Sequence, residues 1–94
     1  MGKAEYKVEG GKLIKVQLKK TENTIEKIKI TGDFFLHPEE IIEEMEESLA
    51  GRLLNESSLT ELIRALIEKR EATLLGAFPE DFAKCIMMAG ERDG

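Results

Sequence analysis

The sequence predicts an α+β fold: a small three-stranded antiparallel sheet followed by three helices packed on one face of the sheet. Two observations carry this prediction. Residues 1–36 alternate apolar and polar side chains with a period of two, and from Pro38 onward the apolar residues recur at helical spacing. Because the strands all precede the helices, we expect separate layers of sheet and helix. The 94 residues are predicted to form a single domain, 1–94.

The first two strands are predicted to form a hairpin. Ala4, Tyr6 and Val8 share one face of the first strand, and Gly10 and Gly11 supply the positive φ angles that a tight turn needs. The return strand continues the same apolar face with Ile14, Val16 and Leu18. The opposite face is polar, which is typical of an antiparallel sheet with one face in solvent.

A polar turn at residues 20–24 is predicted to lead into the third strand, which is marked by Ile28 and Ile30. By simple alternation, Ile25 falls on the other face of this strand. The three strands therefore form an antiparallel meander.

The first helix is predicted to begin at Pro38 and to stop at Gly51. Its buried stripe is Ile41, Met45 and Leu49.

The second helix is predicted to begin with a capping box of Ser58 and Glu61. The third helix is predicted to begin at Pro79 and to end at Gly90. Residues 73–78 are expected to form an extended link between the second and third helices. The apolar face of the second helix consists of Leu59, Leu62, Ile63, Leu66 and Ile67.

Charge is unevenly spread along the chain, whose net charge is −5. Residues 1–36 have a balance of +3, and residues 37–94 have a balance of −8. An acidic chain with few aromatic residues among its lysines is predicted not to bind nucleic acid. A single cysteine and no apolar run of membrane-spanning or signal-peptide length predict a cytoplasmic protein without membrane contact.

Few residues are candidates for catalysis. His37 is the only histidine and Cys85 the only cysteine, and no glycine-rich phosphate loop is present. We therefore predict no catalytic residue and no metal site. Cys85 lies at the edge of the stripe of Phe82 and Ile86, where a buried structural thiol is expected, with a reactive, sulfur-carrying cysteine as the alternative.

The first helix carries a dense row of carboxylates, which is most simply a solvated helix face. A metal site and an acidic surface for a basic partner are the two alternatives. The residues are Glu39, Glu40, Glu43, Glu44, Glu46 and Glu47.

The connection between the third strand and the first helix contains Gly32, Asp33, Phe34 and Phe35. Gly32 permits a turn and Asp33 is expected to bond local backbone amides. Two adjacent Phe residues are costly in a connection, so they must pack into the core or onto a partner. We expect one ring to complete the core and the other, with Gly32 and Asp33, to mark a docking edge.

At this segment the chain resembles the C-terminal accessory domain of lipoate–protein ligases. The resemblance spreads over nearly the whole chain and is moderately specific. It rests on residues 10–13, residues 28–35, Pro38-Glu39-Glu40, Glu46, residues 49–51 and residues 76–82.

The resemblance implies a non-catalytic role. In this family a separate catalytic domain binds ATP, magnesium and lipoate, forms lipoyl-AMP and transfers the lipoyl group to a lysine of a lipoyl domain. The small domain is associated with the adenylation step. A chain running from Met1 to residue 94 is similar to the small subunit of the split, archaeal-type ligases. Its expected partner is the catalytic large subunit, in a heterodimer.

Two other functions remain open from the residues alone. One is a sulfur-transfer or iron–sulfur assembly scaffold that uses Cys85. The other is a generic protein-interaction module that reads a partner through its acidic helix.

Overall fold

Five strands and three helices make up residues 1–93, the part of the chain that the computed structural model describes. The first three strands form one antiparallel sheet in chain order, and the last two pair separately as a two-stranded antiparallel ribbon. The α+β class and the three-stranded sheet are confirmed, and the ribbon is an addition. The elements are β1 (Gly2–Lys7), β2 (Leu13–Thr21), β3 (Thr24–Gly32), β4 (Phe35–His37), α1 (Ile41–Leu49), α2 (Glu56–Lys69), β5 (Thr73–Leu75) and α3 (Pro79–Arg92).

The hairpin of β1 and β2 follows the predicted alternation. Ala4 pairs with Val16, and both side chains are buried beneath the sheet. Gly10 and Gly11 have φ angles of 98° and 123°, in the region that favours glycine. The predicted turn and the inward face of this hairpin are therefore confirmed.

A β-bulge in β3 overturns the predicted orientation of Ile25. Lys19 pairs with Lys27, but the next ladder position joins Lys20 to Ile25, so Glu26 has no ladder partner. One extra residue shifts the alternation of side chains by one position. Ile25 is consequently fully buried, and the prediction that it faces away from the core is wrong.

Helix α1 begins three residues later than predicted. The amide of Ile41 donates to the carbonyl of Pro38 at 3.1 Å, and the amide of Ile42 donates to that of Glu39 at 3.1 Å. These bonds span three residues, as in a 3₁₀ turn, so Pro38 begins a tight turn ahead of the α-helix. The stop at Gly51 is confirmed, since α1 ends at Leu49 and Gly51 has a φ of 87°.

The predicted capping box of α2 is wrong. The helix begins at Glu56, and the N-cap is Asn55, whose side-chain oxygen accepts a hydrogen bond from the amide of Ser58 at 2.9 Å. Ser58 therefore lies inside the first turn and Glu61 in the second.

Helix α3 starts at Pro79, as predicted, but it continues past Gly90 to Arg92. Gly90 is buried within the helix, where a Cβ atom would lie 3.0 Å from Leu54 and 3.4 Å from Leu18. This glycine allows close packing and does not terminate the helix.

The core lies between the inward face of β1–β3 and the apolar faces of the helices. The predicted stripes of α1 and α2 are present, with Leu62 and Ile67 only partly buried. Within residues 1–93, no helix has the length and apolarity to span a membrane. The largest fully buried side chains are Phe82, Ile14, Leu18, Ile25, Met45, Leu49, Leu59, Ile63, Ile86, Val16 and Cys85.

Cys85 is part of this core. Its side chain is fully buried, and its Sγ lies 3.6 Å from the carbonyl oxygens of Ala4 and Ile14. Burial disfavours the thiolate and raises the pKa of the thiol to about 11. The prediction of a buried thiol is confirmed, and at neutral pH the group is protonated and shielded from reagents.

The bulge can be tested by truncating Ile25. We expect Ile25→Ala to lower the free energy of unfolding by about 2–4 kcal/mol, because it removes fully buried methyl and methylene groups. Lys27→Ala, at a neighbouring exposed position, should change it by about 0.5 kcal/mol or less. Denaturant unfolding of both variants checks this, and equal small losses would contradict the buried position of Ile25.

Burial of Cys85 also predicts a pH dependence of stability. Between the ordinary thiol pKa and about 11, the unfolded chain loses the thiol proton while the folded chain keeps it. Stability from this group is therefore complete below the ordinary value and is lost as the pH rises, by on the order of 1 kcal/mol per pH unit. Denaturant unfolding at pH 8.5–11 should show the advantage of wild type over Cys85→Ala shrinking. A constant advantage would contradict the assignment.

Candidate functional site

Three separated stretches of the chain meet at one end of the molecule. Two hydrogen bonds join Leu13 to Asp33: the Leu13 amide donates to Asp33 Oδ1 at 2.6 Å, and the Asp33 amide donates to the Leu13 carbonyl at 3.1 Å. Strand β4 pairs with β5 so that Phe35 lies opposite Leu75. Residues 10–13, 31–35 and 75–78, which overlap three of the segments that carry the family resemblance, are thereby brought together.

We call the exposed part of this end the junction surface. Lys12 completes it, because its side chain lies against Gly76, where a Cβ atom would overlap the lysine stem. Phe78 and Leu75 line one shallow groove of about 310 Å³. The junction surface consists of Lys12, Asp33, Phe35, Leu75 and Phe78.

Gly32 and Asp33 attach the connection to the sheet. Asp33 does bond a backbone amide, but that amide belongs to Leu13 on another strand and is not local as predicted. A Cβ atom at Gly32 would overlap the Leu13 carbonyl oxygen and would lie 2.8 Å from the Phe34 ring. Glycine is therefore required here by the close approach of β2, which the sequence does not reveal.

The two adjacent phenylalanines have different environments. Phe34 is half-buried and meets Phe82 edge to face, with ring centroids 4.8 Å apart and planes at 83°. Phe35 is 51% exposed and stacks on His37 with centroids 6.2 Å apart. Since β4 alternates, Leu36 points inward between these two exposed rings. Contact of Phe35 with a partner stays a prediction.

The outward face of the ribbon is apolar over several residues. Leu75 is 58% exposed opposite Phe35, and Phe78 is 67% exposed just before α3. Three of the five exposed large apolar residues within residues 1–93 thus belong to the junction surface. Clustered exposed apolar side chains mark protein-interaction sites more often than scattered ones do.

Leu75 and Phe78 were absent from the predicted interface. A three-residue strand carries too little alternation to be recognised, and its pairing with Phe35 joins residues 40 positions apart. The available signal was Phe78 itself, an aromatic residue directly before the proline that starts α3.

The acidic helix is partly used within the chain. Glu44 forms an ion pair with Arg70 at 2.7 Å, and Glu46 accepts a hydrogen bond from the backbone amide of Ile30 at 2.7 Å. The second contact satisfies the outer edge of β3. The other four glutamates of the row make no ion pair in the described part of the chain.

The remaining chemical candidates do not come together. His37 is exposed on the ribbon, whereas Cys85 is enclosed in the core. Among residues 1–93, no group of three or more His, Cys, Asp or Glu side chains is placed to hold a metal ion. The feature best suited to function is therefore the junction surface, which is suited to binding another protein.

Comparisons with known proteins agree with the resemblance seen in the sequence. A family model described as the bacterial lipoate protein ligase C-terminus matches residues 3–86, which include all three stretches at the junction surface. Lipoate-protein ligase A subunit 2 of Thermoplasma acidophilum is 35% identical over 74 residues, covering 79% of this chain and 76% of the relative.

A solved structure gives the same result for the fold. It comes from a structural analysis of an archaeal lipoylation system of Thermoplasma acidophilum, with a bi-partite lipoate protein ligase and its E2 lipoyl domain. The match has a TM-score of 0.77 at 31% identity and covers 89% of this chain and 91% of that chain. With a family model over most of its length, this chain belongs to the family of lipoate–protein ligase C-terminal domains.

Proposed function

We propose that this chain is the non-catalytic small subunit of a two-part lipoate–protein ligase in the cytoplasm. The catalytic large subunit binds ATP, magnesium and lipoate and forms lipoyl-AMP. It then transfers the lipoyl group to a lysine of a lipoyl domain. This chain is required for the first of these two steps. Support comes from the family membership and from a relative that is itself a ligase subunit.

The observation that carries the proposal is the junction surface. Phe35, Leu75 and Phe78 are exposed, yet the backbone that bears them is held by the β4–β5 pairing and by the Asp33–Leu13 hydrogen bonds. Aromatic side chains on a rigid support are the usual anchors of protein interfaces, because they bury large areas at little entropic cost. The junction surface is therefore the docking site proposed for the large subunit.

Docking at this surface would assist adenylation without a catalytic group from this chain. Lipoyl-AMP is a mixed anhydride that water destroys, so a subunit that closes over the active site protects it. If the chain is needed for adenylation and not for transfer, its binding energy selectively stabilises the transition state of adenylation.

The two other functions receive less support. A sulfur carrier needs an accessible thiolate, whereas Cys85 is fully buried with a raised pKa. An interaction module that uses the acidic helix would have to share it with Arg70 and β3, which already engage Glu44 and Glu46.

The proposed role is tested by reconstitution. Lipoyl-AMP formation is measured with the catalytic subunit, ATP, magnesium and lipoate, with and without this chain. We expect adenylation to depend on the chain, and transfer from preformed lipoyl-AMP to depend on it much less. Equal adenylation in its absence would refute the proposal.

The docking site is tested by truncating the two phenylalanines separately. Phe35→Ala should weaken association with the catalytic subunit by about tenfold or more, with little loss of stability, because its ring is exposed. Phe34→Ala should lower the free energy of unfolding by about 2–3 kcal/mol, because it removes the contact with Phe82.

Leu53→Ala is the matched control, since Leu53 is 62% exposed but lies outside the junction surface. It should leave both association and stability unchanged. Association is measured by titration calorimetry and stability by thermal melting. Unchanged affinity in Phe35→Ala would assign this ring no part in docking.

A further inference from the structure

The helix-free face of the three-stranded sheet is basic, although the chain as a whole has a net charge of −5. We call it the lysine face. The strands place six lysines and only two glutamates, Glu5 and Glu26, on this side. The lysines are Lys3, Lys7, Lys15, Lys19, Lys27 and Lys29, and all are exposed.

Most of this positive charge is not neutralised within the protein. Lys15 pairs with Glu5 at 3.9 Å, and Lys19 pairs with Glu26 at 3.2 Å. The other four lysines of the face make no ion pair within residues 1–93. The acidic excess of the chain lies in residues 37–94, which contain none of these three strands. The two signs are thus borne largely by different elements of the fold.

The arrangement of the lysines opposes sheet stability. Lys19 lies directly across from Lys27. Lys3 and Lys29 both pair with Gln17, one from each side, and are about 10 Å apart. Like charges directly opposite each other in a sheet are destabilising. Glutamates at alternate positions would relieve the repulsion. Folding does not explain why this face keeps charges that repel one another. Binding of an external anionic partner explains it better.

The chemistry of the lysine face selects among anionic partners. No aromatic side chain points outward from β1–β3 among the described residues, so bases have no stacking platform. Lysines on a flat surface act as point charges for dispersed carboxylates and lack the forked geometry with which arginine recognises phosphate. Its apolar residue Leu13 lies at one end of β2, opposite Lys7, and is only partly exposed, so the face offers little apolar surface to insert into a bilayer. Carboxylates on a protein surface fit it best.

We propose that the lysine face binds an acidic surface of the lipoyl acceptor domain and steers that domain to the ligase; this inference rests on the proposed function. A charged face with no apolar centre suits a brief, rapidly formed encounter, which an acceptor must make and break at each turnover. The apolar junction surface, in contrast, suits a lasting subunit contact. The two faces thus serve two partners.

The test compares Lys29→Glu with Lys69→Glu, an equal charge reversal on an exposed residue of α2. In the assembled ligase, transfer from preformed lipoyl-AMP to an apo lipoyl domain is measured at about 50 mM and about 500 mM NaCl, which screen surface charges weakly and strongly. We expect Lys29→Glu to lower kcat/KM for the acceptor about threefold or more at low salt, and the difference to vanish at high salt.

Lys69→Glu should transfer at the wild-type rate. Lipoyl-AMP formation and association with the large subunit should be unchanged in both variants. The melting temperature of Lys29→Glu should equal or slightly exceed that of wild type, because the change relieves repulsion among the lysines. Equal transfer by Lys29→Glu and wild type at low salt would overturn the inference. So would binding of phosphatidylserine vesicles or single-stranded DNA through Lys29 while transfer is unaffected.

A second measurement separates this inference from the proposed function. Binding of the apo lipoyl domain to this chain alone is followed by titration at low salt. Salt-sensitive binding that weakens in Lys29→Glu supports the lysine face even if adenylation proves independent of the chain. If adenylation depends on the chain but the acceptor does not bind in this titration, the proposed role of the lysine face is overturned and the proposed function stands.

Discussion

The two hydrogen bonds between Asp33 and Leu13 are the constraint on which the rest of this structure depends. They fasten the start of β2 to the end of β3, and the chain then continues directly into β4. Gly32 lets these backbones approach, because any side chain there would overlap the Leu13 carbonyl. Because the connection is fixed at this position, Phe34 packs against Phe82 in the core and Phe35 remains exposed. One constraint therefore helps to determine both a core contact and an exposed ring.

Separation of charge and apolar surface gives the small fold several distinct sides. The ribbon end is apolar and supported by pairing between distant residues, which suits a permanent contact. The outward sheet face is basic and has little exposed apolar surface. The glutamates of α1 are divided, since Glu44 and Glu46 stabilise the fold and the others remain in solvent. A protein without a catalytic cluster among its described residues can still contribute to a reaction by arranging partners through such surfaces.

Two errors in predicting the elements, at Ile25 and Gly90, have a common cause in contacts between separate segments of the chain. Alternation placed Ala4, Val16 and Ile30 correctly, because regular pairing preserves the period of two. It failed at Ile25, because a bulge at Glu26 depends on how two strands pair and leaves no mark in one strand alone. The prediction that Gly90 ends α3 is wrong, because a glycine at a helix end and a glycine packed under a crossing side chain look alike in sequence.

The sequence by itself determined the fold class, the helical stripes and the buried position of Cys85, since these follow from periodicity, composition and local chemistry. Only the tertiary structure decided which phenylalanine faces solvent and that Leu75 and Phe78 join it. It also placed the carboxylate of Asp33 against β2. These features depend on contacts between residues 20 to 48 positions apart. Such contacts are selected by packing of the whole chain, which local patterns do not encode.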